Sequence, residues 1–456
     1  MRANVAGAGA GKTTKMAELI TGLDMPDGKV VFCIAFTNAA ATNITEKVEK
    51  KLGTVPDNIK ISTIHSFLYQ ELVYPYYFTL YKKHYERLSV IDLPSDQGYK
   101  RAKLSELEAE NVLHFTMIPE RAKWVAYQKS SDRKAEKEIR KKLLARFSDY
   151  CAALFVDEAQ DISEDVKLIL KALEQSGVEI ILYGDPKQDV KGQGQFREII
   201  EKTPEVNYIS ECHRCPQKHL KLSNTLARDA EQQRASDSNA EGSISVVFES
   251  DVEDIKQFIA TGNYGLQYIS MKRDRFATHE KQESGERFET LRYEVHRAIC
   301  DKWTGIKTEL EINRAAFYVT EQMLSAFDNG SNESTIITQW VNSGVFDRLT
   351  GKRYAQMASA IKAIDTATTD IPVVSSIEII KGREAERCLF ILSPDLAPYL
   401  FREKTEDNKT SHLLYVALTR SLDHLTILIM KEVEETYTRD KILCFFQSVL
   451  QDQGSM

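Results

Sequence analysis

The chain has no apolar run long enough to span a bilayer and no charged-then-apolar leader ahead of its first motif. It also has no repeat of short period and no low-complexity tract. These gaps argue against an α-helical membrane protein, a secretory precursor or a solenoid, and they point to the cytoplasm. A disulfide framework is missing too. The seven cysteines, at 33, 151, 212, 215, 300, 388 and 444, are odd in number and dispersed, as reduced thiols are. Nor is there an excess of positive charge: the net charge is −7. Proteins that move along nucleic acid can concentrate their positive charge in one channel, so this balance excludes little.

At 456 residues the chain is too long for a single core, and about two to four domains are expected. Near its start, Ala6-Gly7-Ala8-Gly9-Ala10-Gly11-Lys12-Thr13 follows the G-x-x-x-x-G-K-[ST] pattern, with Ala6 in the first glycine place. Small residues let the backbone curl until successive N–H groups face a phosphate. Lys12 would reach the outer phosphates and Thr13 would offer its hydroxyl to Mg²⁺. Thr14 joins the same nucleotide-binding set, and the following helix adds its positive end. The competing reading is a Gly/Ala-rich turn with no ligand.

Residues 29–36 form an apolar run that fits a buried parallel strand, and 37–52 read as a helix capped by Thr37 or Asn38. Residues 59–64 look like the next strand. Residues 68–148 break the alternation with a mostly helical, aromatic and then charged segment, read as an insertion. The sheet resumes at 151–156, followed by a helix at 165–176 and a strand at 178–183. A second lobe is expected from about Val206. It has strands at 243–248, 265–270, 373–377, 387–392 and 424–430, a helical segment at 292–361 broken near 328–335, and a helix at 411–421. The expected fold class is therefore α/β: two parallel-sheet lobes, each interrupted by a helical insertion. The expected boundaries are 1–67 with 148–203 for the first lobe, and 68–147 for its insertion. The second lobe takes 204–291 with 362–456, and its reduced insertion takes 292–361.

The strand at 151–156 runs into Asp157-Glu158. Asp157 at a strand end can hold Mg²⁺, and Glu158 can polarise the water that attacks a γ-phosphate. An Asp-Glu pair after an apolar run is common by itself, but one domain's length after a phosphate loop it carries weight. Gln188, in Gly184-Asp185-Pro186-Lys187-Gln188, ends the next strand and could report on the γ-phosphate; a solvated turn is the bland alternative. Arg214 and Arg420 could deliver positive charge to the transition state, although each alone is more often an ion-pair partner.

The order of these motifs resembles the UvrD/Rep-like superfamily 1 helicases. The matching stretches are residues 6–13, 35–41 (AFTNAAA), 62–67 (STIHSF), 156–161 (VDEAQD), 184–188 (GDPKQ), His213-Arg214, 381–384 (KGRE) and 415–420 (YVALTR). They follow the family's order over nearly the whole chain. The resemblance implies two RecA-like lobes of the P-loop NTPase class, closing on ATP and Mg²⁺, with single-stranded DNA across both. It implies phosphate contacts from Gly7, Ala8, Gly9, Ala10, Gly11, Lys12, Thr13 and Thr14, and metal binding by Thr13 and Asp157. Glu158 would be the catalytic base. Gln188, Arg214 and Arg420 would contact the γ-phosphate, Glu384 the ribose, and His213 would stack on adenine in place of a family tyrosine. Phe36, Thr37, Ser62, Thr63 and His65 would lie along the DNA, with translocation running 3′ to 5′. The GDPKQ form and residues 212–216 (CHRCP), in so short a chain, look like the helicase-like subunit of Gabija anti-phage systems, which works with an ATPase-nuclease partner.

There are departures. No room precedes Met1 for the family's adenine-reading glutamine segment. Lys191, Gln193 and Gly194 stand where the family carries base-stacking aromatics and an arginine, and each lost stack removes roughly 1–3 kcal/mol per base. Glu378 replaces a histidine and Ala39 a lysine. Three further features have two readings each. Tyr74, Tyr76, Tyr77, Phe78, Tyr81 and Tyr85, beside Lys82, Lys83 and Arg87, read first as core of the insertion and second as a stacking surface. By spacing, Tyr77, Tyr81 and Tyr85 share one helix face. The basic helix at 134–146 is either a solvated face or a phosphate contact. Cys212 and Cys215 have metal-pair spacing, but structural zinc usually needs four ligands and no second pair lies nearby, so coincidence is the first reading and a metal pair the second. The function expected overall is a DNA-stimulated ATP hydrolase that translocates along single-stranded DNA. The alternative is a DNA- or nucleotide-sensing ATPase subunit that gates a partner nuclease with little unwinding of its own.

Overall fold

A computed structural model of the chain describes residues 1–24, 26–91, 93, 97–271, 275–278, 283–303, 305–362 and 372–450. The chain divides into two compact units. One comprises Met1–Asp251, Tyr264–Leu266 and Lys381–Met456, and the other Val252–Asn263 and Gln267–Ile380.

The chain is an α/β protein with two six-stranded sheets. The first lies in the first unit and is built from β1 (Arg2–Ala6), β2 (Val30–Ala35), β3 (Ile59–Thr63), β4 (Cys151–Val156), β5 (Glu179–Gly184) and β6 (Val206–Ile209). Their order is β3-β2-β4-β5-β1-β6, and every pair is parallel. Parallel strands need crossovers, and the crossover helices cover both faces, so the central strands are apolar almost throughout. Alternate residues serve the two faces. Val31, Cys33, Ala35 and Phe155 pack with Met16 and Ile20 of helix α1 (Lys12–Thr21) and with Ile44 and Val48 of helix α2 (Asn38–Leu52). On the other face Phe32, Ile34, Leu154 and Val156 pack with Phe67, Phe147, Ile169 and Phe196. Thr37 caps α2 by accepting the Ala40 N–H at 3.1 Å.

The order sets the site. β4 is separated from β1 by β5 alone, so the turns that follow β1, β4 and β5 leave the sheet side by side at its carboxyl edge. Ligands bind at that edge in open parallel sheets. One strand differs from the sequence reading. Val206–Ile209, read as the start of the second lobe, runs parallel to β1 as the edge strand of the first sheet. Its half-exposed VNYI pattern is that of an edge, and it has no apolar run to tie it to the sheet by sequence.

The segment between β3 and β4 is mostly helical, as expected, but it also contains a parallel pair, Arg87–Ser89 with Val112–His114. Strands of three residues leave no readable periodicity. Its core includes a buried ion pair: Arg140 Nη2 lies 2.6 Å from Asp132 Oδ2, and Arg140 Nε donates to the Val125 carbonyl at 3.0 Å. Tyr81 Oη donates to Asp132 Oδ1 at 3.1 Å. Removing one member of such a pair strands a charge inside the fold. Asp132→Ala is therefore expected to cost about 3–5 kcal/mol, read as a lower urea midpoint with an unchanged slope.

The second sheet uses β7 (Ser243–Phe248), β8 (Leu266–Ile269), β9 (Ala277–Thr278), β10 (Val373–Ser376), β11 (Ala385–Leu392) and β12 (Ser421–Ile429). In the first unit the order is β7-β12-β11, and in the second β8-β10-β9, all parallel. The second unit adds the helices Glu283–Trp303, Glu309–Asp328, Glu333–Asn342 and Gly351–Lys362 around Leu291, Ile299, Met323, Ile336 and Phe346. The helix read at 411–421 stops at Leu418, because β12 begins at Ser421. No described helix is long and apolar enough to cross a membrane.

Candidate nucleotide site and strand-end surface

Ala6 ends β1 and Lys12 opens α1, so residues 7–11 are the whole connection. Gly9 takes a left-handed φ of 68° that an L side chain resists. A Cβ at Gly7 would fall 2.1 Å from Gln233 Oε1, so a side chain there would displace the Gln233 amide. Lys12 Nζ folds back over the turn, 3.2 Å from the Ala6 carbonyl oxygen and 3.4 Å from that of Gly7. The N-terminal end of α1, with its partial positive charge, opens onto the same turn.

The acidic pair comes from the end of β4. Asp157 is buried, and its Oδ2 accepts the Thr13 hydroxyl at 3.1 Å. Its Oδ1 accepts the Glu158 N–H at 2.9 Å. Glu158 holds φ at 54°, an uncommon conformation for a residue with a side chain and one that collects at functional sites. Burial and then the neighbouring Glu158 push the Asp157 carboxyl above the usual range. For Glu158 burial acts in the same direction, but the charges of Lys12 and Lys381 outweigh it and hold the group low.

A hydrogen-bonded chain joins the ends of β4 and β5. The Gln160 side-chain amide donates to Glu158, and Gln160 Oε1 accepts the Asp185 N–H at 2.9 Å. Asp185 Oδ2 then accepts from Gln188 Nε2 at 2.8 Å. Gln188 is thus tied to Glu158 through Gln160 and Asp185, and it is buried where a solvated turn was the alternative. Lys47 of α2 donates to the Thr14 hydroxyl at 2.8 Å.

The first unit also carries the residues that follow β6 and flank β11 and β12. The His213 N–H donates to the Gly9 carbonyl at 2.9 Å. Arg214 Nε pairs with Glu384 Oε2 at 2.5 Å. These two residues, expected on the γ-phosphate and the ribose, bond each other. Lys381 donates to Asp161 Oδ1 at 2.9 Å. Arg420 is fully buried and donates to the Val416 carbonyl at 3.0 Å and to Thr419 Oγ1 at 3.0 Å, at the end of the helix Lys409–Leu418.

Two residues to which the sequence reading assigns no role clasp the loop. The Ala8 N–H donates to Tyr415 Oη at 3.2 Å, and Tyr415 Oη donates to Gln233 Oε1 at 2.9 Å. Gln233 Nε2 closes the ring on the Ala8 carbonyl at 3.0 Å. Cys212 Sγ donates to the same carbonyl at 3.1 Å and accepts the Cys215 N–H at 3.2 Å. The cysteine spacing thus serves loop support. Among the described residues no group of three or more His, Cys, Asp or Glu could hold a metal ion.

The expected DNA contacts lie at the carboxyl ends of β2 and β3, where Ala35 and Thr63 are in register. Phe36 is half-buried and Thr37 exposed. The Thr37 and Thr63 hydroxyls both accept cap N–H groups, and Thr63 Oγ1 also donates to Ser66 Oγ at 3.1 Å. Ser62 and His65 are half-buried, and the His65 ring lies 5.9 Å from that of Phe115. Burial and then the charge of Lys191 push His65 down. Lys191 is exposed, whereas Gln193 and Gly194 donate their N–H groups to Asp189 at 3.0 and 2.7 Å.

Residues 3–193 match the family model AAA_19, described as an AAA domain. No curated protein matches the chain. Among solved structures, an arterivirus nonstructural protein 10 helicase in complex with DNA is 13% identical, with a TM-score of 0.36, over 93% of this chain and 60% of that one. The PRRSV helicase is 11% identical, with a TM-score of 0.35, over 94% and 52%. The chain therefore covers 60% and 52% of those proteins' lengths. The family match takes in the phosphate loop, the acidic pair and Gln188, and it identifies residues 3–193 as similar to an AAA domain.

Proposed function

We propose that the chain hydrolyses ATP and that single-stranded DNA stimulates the reaction, driving translocation along the strand. The observation that carries this is the bond between Thr13 and Asp157, made beside Glu158 at the carboxyl edge of a parallel sheet. A hydroxyl oxygen and a carboxylate oxygen 3.1 Å apart form a donor set suited to a hard divalent cation. The loop N–H groups and Lys12 suit a polyphosphate.

In this reading Lys12 and the amides of residues 7–14 orient the phosphates. Thr13 and Asp157 would hold Mg²⁺, which supplies charge neutralisation on the phosphate oxygens. Glu158 accepts the proton of the attacking water, and Gln188 follows the γ-phosphate through its link to Glu158. Arg214 exchanges Glu384 for phosphate when nucleotide enters, which frees Glu384 for the ribose. Arg420 adds charge from the helix end, and His213 stacks on the base. Phe36, Thr37, Ser62, Thr63 and His65 form the DNA path. The resemblance to UvrD/Rep-like helicases supports 3′ to 5′ polarity. The likeness to the Gabija subunit supports a cytoplasmic role in anti-phage defence beside an ATPase-nuclease partner.

A strand-displacement assay on a duplex with a 3′ single-stranded tail tests the motor. Unwinding that requires ATP is the expected result. Hydrolysis stimulated by DNA without any unwinding would favour the sensing subunit that gates a nuclease, a reading supported by Lys191, Gln193 and Gly194 at the base-stacking places.

A further inference from the structure

After β3 and the short helix Ile64–Phe67, the chain passes through a π-helical turn, Leu68–Val73, and continues as the α-helix Tyr74–Tyr81. A π turn spans one residue more than an α turn, and such turns gather at functional sites. Here it brings Tyr69 beside Tyr74, five positions on, with ring centroids 6.0 Å apart. Phe78 follows Tyr74 by four positions, on the same face of the α-helix. The flank next to that face is core: Tyr77 and Leu80 are buried, and the Tyr77 ring lies 5.0 Å from Tyr81 and 5.4 Å from Tyr85.

Tyr74 and Phe78 do not share that burial; they are 63% and 54% exposed. Isolated exposed aromatics are ordinary. These have a third ring, Tyr69, beside Tyr74, and cationic or imidazole neighbours. The His84 ring lies 6.1 Å from Tyr74, and Lys82 Nζ lies 5.7 Å from the Phe78 centroid. Exposed aromatic rings with an ammonium beside them match a nucleobase and its neighbouring phosphate.

We propose that Tyr69, Tyr74 and Phe78, with Lys82 and His84, form a stacking platform for the bases of single-stranded nucleic acid, in addition to the strand-end path. This rests on the reading that the chain binds a single strand. Bases stack on the rings without regard to sequence, while Lys82 meets the backbone and makes the contact weaken as salt rises.

The test is fluorescence anisotropy of the full chain with a labelled oligothymidylate. Tyr74→Ala and Phe78→Ala are each expected to weaken binding about tenfold, ~1.4 kcal/mol. ATP turnover without DNA should be unchanged, and Tyr74→Trp should restore affinity. With an oligonucleotide of the same length made of abasic sites, wild type and variants should bind alike, because no base remains to stack. Oligothymidylate binding by the double variant at wild-type affinity would overturn the platform and leave the DNA reading intact. If that variant instead lost a copurifying protein, the face would be a protein-docking surface. Failure of the wild-type chain to bind any oligonucleotide would sink both readings.

Discussion

Glu158→Gln is expected to lower ATP turnover about 10²- to 10⁴-fold, the contribution of a positioned general base, while nucleotide binding stays near wild type. The substitution keeps the size of the side chain, and an amide oxygen can still accept from Gln160. What it removes is the group able to take a proton. The surroundings favour that role, because Lys12 and Lys381 hold the half-buried Glu158 carboxyl low. Binding of a fluorescent ATP analogue, measured beside steady-state hydrolysis, separates the two effects. Equal loss of binding and turnover would instead make Glu158 a structural part of the turn.

Lys12→Ala is expected to damage both steps. A hydrogen bond to a charged group contributes about 1.5–3 kcal/mol, so affinity for ATP should fall roughly ten- to a hundredfold, with turnover falling further. Lys12 also keeps Glu158 low, so its removal lets that carboxyl rise as well as loosening the phosphate grip. The fold should tolerate the change, since alanine suits the first turn of α1. The expected result is a melting temperature close to wild type alongside weakened ATP binding. Wild-type affinity in the variant would mean that the loop amides bind phosphate without the lysine.

Much of this site is legible in the sequence because phosphate chemistry imposes a strict local pattern. Residues 6–13 and Asp157-Glu158 can be read without a structure, and their strands announce themselves as apolar runs. Other parts depend on contacts across long stretches of chain. Gln233 lies in the polar stretch 232–242, and nothing nearby marks it as a partner of Ala8, more than two hundred residues away. The Arg214–Glu384 pair is equally non-local. The aromatic cluster departs from its expected helix face for a local reason. Lys82 turns left-handed at φ 55° and ends the helix, so Tyr85 reaches Tyr77 from outside it. The π turn moves Tyr69 into line with Tyr74, a register that a periodicity of 3.6 does not anticipate. β6 joins the first sheet rather than the second lobe, and a short, half-exposed edge strand carries too little pattern to show it.

If the strand-end site is an ATP hydrolase coupled to a single strand, the most direct measurement is the rate of ATP hydrolysis with Mg²⁺, with and without single-stranded DNA. Hydrolysis is expected to rise when DNA is added and to disappear in Lys12→Ala and Glu158→Gln. Hydrolysis indifferent to DNA, or unaffected by either substitution, would contradict that coupling.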